Sequence, residues 1–149
     1  MQKCYLALGC FWKPEESFRN IKGIVETEVG YAGGKAEKVT YEDVCVGNSG
    51  HAETIKLTFD ENLISFEKIL EYFFNLHDPT QKDMQYPDVE NKYRSEIFYE
   101  NEEQKKIAEK SKSLFSKKIS GKIETNISKI KNYCKAEDYH QKYVMKRGF

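Results

Sequence analysis

His51-Ala52-Glu53-Thr54-Ile55-Lys56-Leu57-Thr58-Phe59 is the stretch on which the fold reading turns. Glu53, Ile55, Leu57 and Phe59 fall on one face, and Thr54, Lys56 and Thr58 on the other. This is the two-residue period of a β-strand with one side against a core. Glu53 is the anomaly, a carboxyl on the apolar face. Desolvation disfavours its charge, so a core-facing Glu53 would keep a proton near neutral pH and could donate it. A glutamate at a strand end can instead reach solvent past the edge, and alternation alone leaves both readings open.

The flanking segments repeat the pattern. Residues 24–31 alternate, with Val25, Thr27, Val29 and Tyr31 on one face and Glu26 and Glu28 on the other, until Gly33-Gly34 breaks the run. Residues 3–8 predict a first strand, with Tyr5 and Ala7 opposite Cys4, Leu6 and Leu8. Between these two strands, Pro14, Glu15 and Glu16 suit a first helical turn, and the helix should reach about Asn20. Residues 40–50 read as a connector, with Thr40 a candidate N-cap and residues 47–50 a loop. After Phe59, a helix from about Ser65 carries Phe66, Ile69, Leu70, Phe73 and His77 on one stripe and stops at Asp78-Pro79. Residues 80–92 form a long polar loop. A strand over 94–99, a helix from Glu102 to about Ile119, weak alternation over 123–130 and a short helix around 138–145 complete the chain. The order predicts an α+β two-layer sandwich. Its core would be ferredoxin-like, β-α-β-β-α-β, with a mainly antiparallel sheet and an irregular C-terminal segment, all in one domain spanning 1–149.

With 24 basic and 24 acidic residues the formal net charge is +0, so no bulk field favours nucleic acid or an anionic membrane. Four cysteines, Cys4, Cys10, Cys45 and Cys134, are too few and too scattered for a disulfide scaffold. No secretory signal and no run of transmembrane length is visible. The expectation is a cytoplasmic protein with free thiols. Cys45 and His51 lie six apart, as do Cys134 and His140. Neither spacing is typical of zinc ligands, and with no CxxC or HExxH no metal is expected.

Leu8-Gly9-Cys10-Phe11-Trp12 places a thiol where the first strand gives way to a helix. Unpaired N–H groups and the positive dipole end of a first turn favour thiolate over thiol, which would arm Cys10 as a nucleophile. A buried structural cysteine is the alternative. Tyr31 and Tyr93, each at a strand end, could aim two phenols at one oxyanion. Cys10 with His51 or His140 as base would also compose a cysteine-protease pair, although no orienting third residue stands out.

Seven motifs occur in order. They are Gly9-Cys10-Phe11-Trp12, Gly30-Tyr31-Ala32-Gly33-Gly34, Tyr41-Glu42-Asp43-Val44-Cys45, Gly50-His51-Ala52-Glu53, His77-Asp78-Pro79-Thr80, Tyr93-Arg94-Ser95 and Ala136-Glu137-Asp138-Tyr139-His140-Gln141. Together they resemble the peptide methionine sulfoxide reductase A family over nearly the whole chain. The resemblance implies reduction of the S epimer of methionine sulfoxide, free or in oxidised proteins. Carried over by motif, Cys10 matches the nucleophile and Glu53 the acid that protonates the sulfoxide oxygen. Tyr31 and Tyr93 match hydrogen-bond donors to that oxygen, and Phe11 and Trp12 the walls around the S-methyl group. Asp88, His140 and Tyr143 match further substrate-binding residues. The chemistry would need a thiolate and a neutral acid in one pocket. It would leave Cys10 as a sulfenic acid, which condenses with another thiol. The family implies no cofactor, only an external thiol reductant, thioredoxin or glutaredoxin with glutathione, and a monomer is expected.

Two departures stand out. Lys13 replaces a glycine common after the Phe-Trp pair. The chain also closes at Arg147-Gly148-Phe149, with no recycling cysteine in a Gly-rich tail. Cys4 would lie about 20 Å from Cys10 along an extended strand, beyond disulfide reach. Cys45 matches a position not usually assigned a recycling role, and Cys134, close in sequence to His140, is a candidate internal resolving thiol; the sequence leaves both open. A thiol peroxidase or protease would use Cys10 without needing a neutral Glu53. A non-catalytic binder of oxidised methionine would tolerate Cys10→Ser.

Overall fold

The computed structural model describes residues 1–47, 49–88 and 90–148. Asn48 and Val89, which fall in the two loops expected above, and Phe149 lie outside the described residues. The strands are β1 (Gln2–Leu8), β2 (Ile24–Ala32), β3 (Ala52–Phe59), β4 (Ser95–Tyr99), β5 (Asn126–Lys129) and β6 (Cys134–Lys135). The helices are α1 (Trp12–Arg19), α2 (Tyr41–Val46), α3 (Phe66–Asn75), α4 (Glu102–Ser116) and α5 (Tyr143–Arg147), with 3-10 turns at Asn91–Tyr93 and Asp138–His140. Among the described residues no helix is long and apolar enough to cross a membrane.

The strands form one sheet in the order β5-β4-β1-β3-β2-β6. It is a mixed sheet, because β4 and β5 run parallel while the other neighbours are antiparallel. The alternation in the sequence sorts its two faces as expected. Cys4, Leu6 and Leu8 of β1 and Ile55, Leu57 and Phe59 of β3 join the main core with Ile69, Leu70 and Phe73 of α3. Tyr5 and Ala7 face the other side, with Ala32, Ala52 and Phe98. Truncating one of the fully buried residues Ile55, Leu57 or Phe73 to alanine would cost about 2–5 kcal/mol.

Capping residues fix the helix starts. Thr40 closes a capping box with Asp43, while Ser65 and Asn101 accept from the backbones of Lys68 and Gln104. Four expectations change. Val25 is 56% exposed, because a register shift between Ile24 and Glu26 takes it off the core face. The fourth helix ends at Ser116 rather than near Ile119. The segment around 123–130 keeps only a four-residue strand, laid parallel on β4. The C-terminal helix is two pieces, since Lys142 adopts a left-handed conformation (φ 51°) between the 3-10 turn and α5. The two-residue β6 was not anticipated, being too short to show any period.

Candidate active site

Gly9 makes the site possible. Its φ of 98° is costly for a residue with a Cβ, and it turns the chain sharply from β1 to Phe11, the N-cap of α1. Cys10 sits in that turn, partly buried. Glu53, at the start of β3, is 2% exposed. Its Oε1 accepts the Phe11 N–H at 3.2 Å. The two anchors are thus joined across 42 residues of sequence, and Glu53 faces inward rather than past the strand edge.

Burial pushes the Glu53 carboxyl up to about 7, with the Phe11 N–H and the Lys92 charge pulling against it. The thiol behaves differently from the expectation of a lowered pKa. Burial, followed by the charge of Glu53, pushes Cys10 up to about 11, and the Trp12 backbone N–H offsets this only in part. The helix start acts on Cys10 in the expected direction, but desolvation and a neighbouring carboxylate outweigh it. Asp88 is exposed, and its charge is felt by both groups.

Tyr31 is fully buried with its ring 5.8 Å from that of Phe11. Its hydroxyl donates to Glu137 Oε1 at 3.0 Å, and Glu137 also accepts the Tyr41 N–H at 2.9 Å. In this structure the Tyr31 donor is engaged by the Glu137 carboxylate, whose pKa, despite burial, its bonds hold below the ordinary value. Tyr93 stays half-buried, its phenol kept protonated by burial and by the Glu53 charge.

The aromatic wall extends beyond Phe11 and Trp12. The Trp12 and Tyr143 rings stack at 3.8 Å with 8° between planes. Trp12 Nε1 donates to His140 Nδ1 at 3.0 Å, so neutral His140 carries its hydrogen on Nε2. That Nε2 is buried without a partner among the described residues. Burial holds the His140 pKa below the ordinary value, against the Glu137 charge. The ring also lies 5.2 Å from Phe11 and 5.0 Å from Tyr41. The protease arrangement has no counterpart. His51 directs its ring nitrogens at the carbonyl oxygens of Ser49 and Asn132, 3.3 and 3.1 Å away, and His140 is committed to Trp12.

Lys13 is exposed at the start of α1. Among the cysteines, Cys4 is buried, Cys45 accepts from Lys92 Nζ at 3.1 Å, and Cys134 donates to Val39 O at 3.7 Å. No group of three His, Cys, Asp or Glu side chains able to hold a metal ion occurs among the described residues. Lys92, Tyr41, Glu137 and Glu15 were not singled out from the sequence. Tyr41 and Glu137 each lay within a quoted motif. Lys92 carried no signal, since a lysine in a polar loop reads as solvated.

A partly buried thiol in a strand-to-helix turn, a neutral-range carboxyl beside it and an aromatic wall define a thiol-dependent oxidoreductase. The family model described as peptide methionine sulfoxide reductase matches residues 2–148, and the chain belongs to that family. A peptide methionine sulfoxide reductase from Pelagibacter ubique is 51% identical over 147 residues, covering 99% of this chain and all of that one. The reduced form of Mxr1 from Saccharomyces cerevisiae superposes with a TM-score of 0.94 at 35% identity, covering 99% of this chain and 86% of Mxr1. Mxr1 in complex with Trx2 superposes at 0.68 and 28% identity, over 95% and 84% of the two chains. Reduction of methionine sulfoxide is the reaction of this family, and the chain is an oxidoreductase that needs no prosthetic group.

Proposed function

We propose that residues 1–149 form one catalytic domain that reduces the S epimer of methionine sulfoxide, free or in oxidised proteins, with Cys10 as nucleophile and Glu53 as acid. The observation that carries this is the 3.2 Å bond from Phe11 N–H to Glu53, which fixes a buried carboxyl beside the Cys10 turn. Above about pH 7 the resting pair is a thiol and a carboxylate. Moving the thiol proton to Glu53 yields the thiolate and the neutral acid together. The Cys10 sulfur attacks the sulfoxide sulfur, and Glu53 hands its proton to the sulfoxide oxygen. The protonated oxygen then passes from the methionine sulfur to the Cys10 sulfur: the sulfoxide S–O bond and the new S–S bond break as a Cys10 S–O bond forms, leaving Cys10 a sulfenic acid, two electrons poorer, and methionine two electrons richer. Tyr93 donates to the oxygen. Phe11 and Trp12 enclose the methyl group, and His140, Tyr143 and Asp88 line the approach.

A first external thiol then condenses with the sulfenic acid, releasing water. A second thiol regenerates Cys10 and leaves as a disulfide. Thioredoxin is the proposed donor, by analogy with the complex formed by Mxr1, and glutaredoxin with glutathione is the alternative. Cys134 is tied to Val39 and Cys45 to Lys92, which favours the external route over an internal one. Loss of multiple turnover in Cys134→Ser or Cys45→Ser, with single turnover kept, would contradict it. Four free thiols suit a reducing, cytoplasmic setting, and a monomer is proposed. The strand order β4-β1-β3-β2, antiparallel at each step, supports a ferredoxin-like two-layer core.

The test supplies S- and R-sulfoxide peptides with dithiothreitol and measures methionine. Turnover of the S epimer alone is expected. Equal turnover of both, or of neither, would sink the proposal.

A further inference from the structure

Lys92 is an unusual lysine. The residue is only 7% exposed, although ammonium groups are rarely buried unless paired. Its Nζ donates to Cys45 Sγ at 3.1 Å and pairs with Glu90 Oε2 at 3.2 Å. It also lies over two phenol rings, 5.2 Å from the Tyr41 centroid and 5.0 Å from that of Tyr93. Two segments therefore hold one cation. Helix α2 contributes Cys45 and Tyr41, and the chain around the 3-10 turn contributes Glu90 and Tyr93. Glu53 of strand β3 feels the Lys92 charge. The anchors are more than enough to fix the charge. Burial works against the ammonium, yet its bonds to Cys45 and Glu90 hold its pKa above the ordinary lysine value.

We propose that Lys92 is a positioning residue for the sulfoxide chemistry, supplying the fixed positive charge against which the Cys10 thiolate forms and holding the Tyr93 ring in register with the pocket. This rests on the roles given above to Cys10 and Glu53. The reasoning is electrostatic. The groups around Cys10 and Glu53 are otherwise acidic: the two mutually repelling groups themselves, Asp88 acting on both, and Glu90 acting on Glu53. Desolvation adds to the same penalty. Lys92 is the cation felt by both groups, and a cation fixed by protein ligands costs no reorganisation when negative charge appears on sulfur. The partial exposure of Glu90, 58% at its side chain, leaves that carboxylate hydrated and weakens its competition for the ammonium. Cys45 Sγ anchors Nζ from the α2 side at 3.1 Å.

The experiment compares the parent with Lys92→Met, Lys92→Gln and Lys92→Arg. It reads the pH profile of kcat/KM for an S-sulfoxide peptide and, without substrate, the pH dependence of iodoacetamide alkylation at Cys10, scored by peptide mapping so that Cys45 is counted apart. Circular dichroism checks that each variant is folded. Loss of the cation should move the alkylation curve and the acid limb of kcat/KM upward by about one pH unit. It should lower kcat more than KM, and Lys92→Arg should restore most of the parental behaviour. Profiles in Met and Gln variants that superpose on the parent would overturn the proposal. So would a uniform loss of rate with both limbs unmoved, which is the mark of a merely structural lysine. An inactive parent whose alkylation curve still depends on Lys92 would instead sink the functional reading and leave the electrostatic role standing.

Discussion

At the residue scale, the proposed reaction turns on the position of one proton between Cys10 and Glu53. With Cys10 pushed up to about 11 and Glu53 to about 7, the thiol–carboxylate pair outweighs the thiolate–acid pair, by less than the difference between the two values because part of the rise at Cys10 is the Glu53 charge itself. Both pairs carry the same total charge, so their ratio does not change between the two values. The kcat/KM profile should therefore be flat from about pH 7 to about pH 11. It should fall below that range as Glu53 is protonated and the thiolate is lost, and above it as the second proton leaves. Glu53→Gln should cost about 10²–10⁴-fold in kcat. It should also abolish the limb near pH 7, and the Cys10 thiol should then titrate lower, freed of the neighbouring charge. The inward carboxyl was legible because strands have a strict period of two. The raised thiol was not, because desolvation depends on which chains close over Cys10, and local sequence does not carry that. Likewise the acceptor for Tyr31 is Glu137, 106 positions away.

At the scale of elements, the pocket depends on how the C-terminal segment is tied to the sheet. Glu15 of α1 is fully buried. It accepts the Thr27 hydroxyl at 2.7 Å and the backbone N–H of Lys142 at 2.7 Å, just before Tyr143. Gln141 adds side-chain bonds to Val29 and Ala136. Glu15→Ala should leave two buried donors unpaired, cost about 1–3 kcal/mol, and raise KM more than it lowers kcat, as read by urea denaturation and steady-state kinetics. Gly30 serves the same junction. A Cβ there would stand 2.5 Å from Cys134 O and 2.6 Å from the Tyr133 ring. Gly30→Ala should therefore destabilise by about 1–3 kcal/mol and loosen β6, measurable as faster amide exchange at Cys134 and Lys135. Strands β1 to β4 were readable because each sustains a period, helices α3 and α4 because a period and a cap coincide, and α1 because Pro14, Glu15 and Glu16 mark a first helical turn. Strand β6 and the broken C-terminal helix were not, because they are held by contacts with β2 and α1 rather than by a local pattern.

For the whole molecule, a buried network links helix, sheet edge and core. His77 Nδ1 donates to Phe73 O at 2.7 Å, its Nε2 meets Ser95 Oγ at 2.7 Å, and Ser95 meets Thr125 at 2.7 Å. Burial pushes His77 down to about 4. The unfolded chain takes up this proton below about 6.5 while the folded chain refuses it until about 4. The His77 share of stability should thus fall as pH drops through that window, by about 3 kcal/mol. Glu53, pushed up to about 7, acts oppositely, because the folded chain takes up its proton first, and it offsets much of that loss. Urea midpoints measured from pH 7 to pH 4 should therefore show His77→Gln gaining stability relative to the parent as pH falls. The α+β order was legible from the succession of periods. The parallel pairing of β5 was not, since a four-residue edge strand takes its direction from the α4 connection.

The most direct measurement is a single turnover without reductant. The reduced chain is mixed with an S-sulfoxide peptide, quenched with a sulfenic-acid trap, and mapped by mass spectrometry alongside the methionine released. One methionine per chain, with the trap on Cys10 and neither product in Cys10→Ser, is the expected result. Methionine formed with Cys10 unmodified, or formed equally by Cys10→Ser, would contradict it.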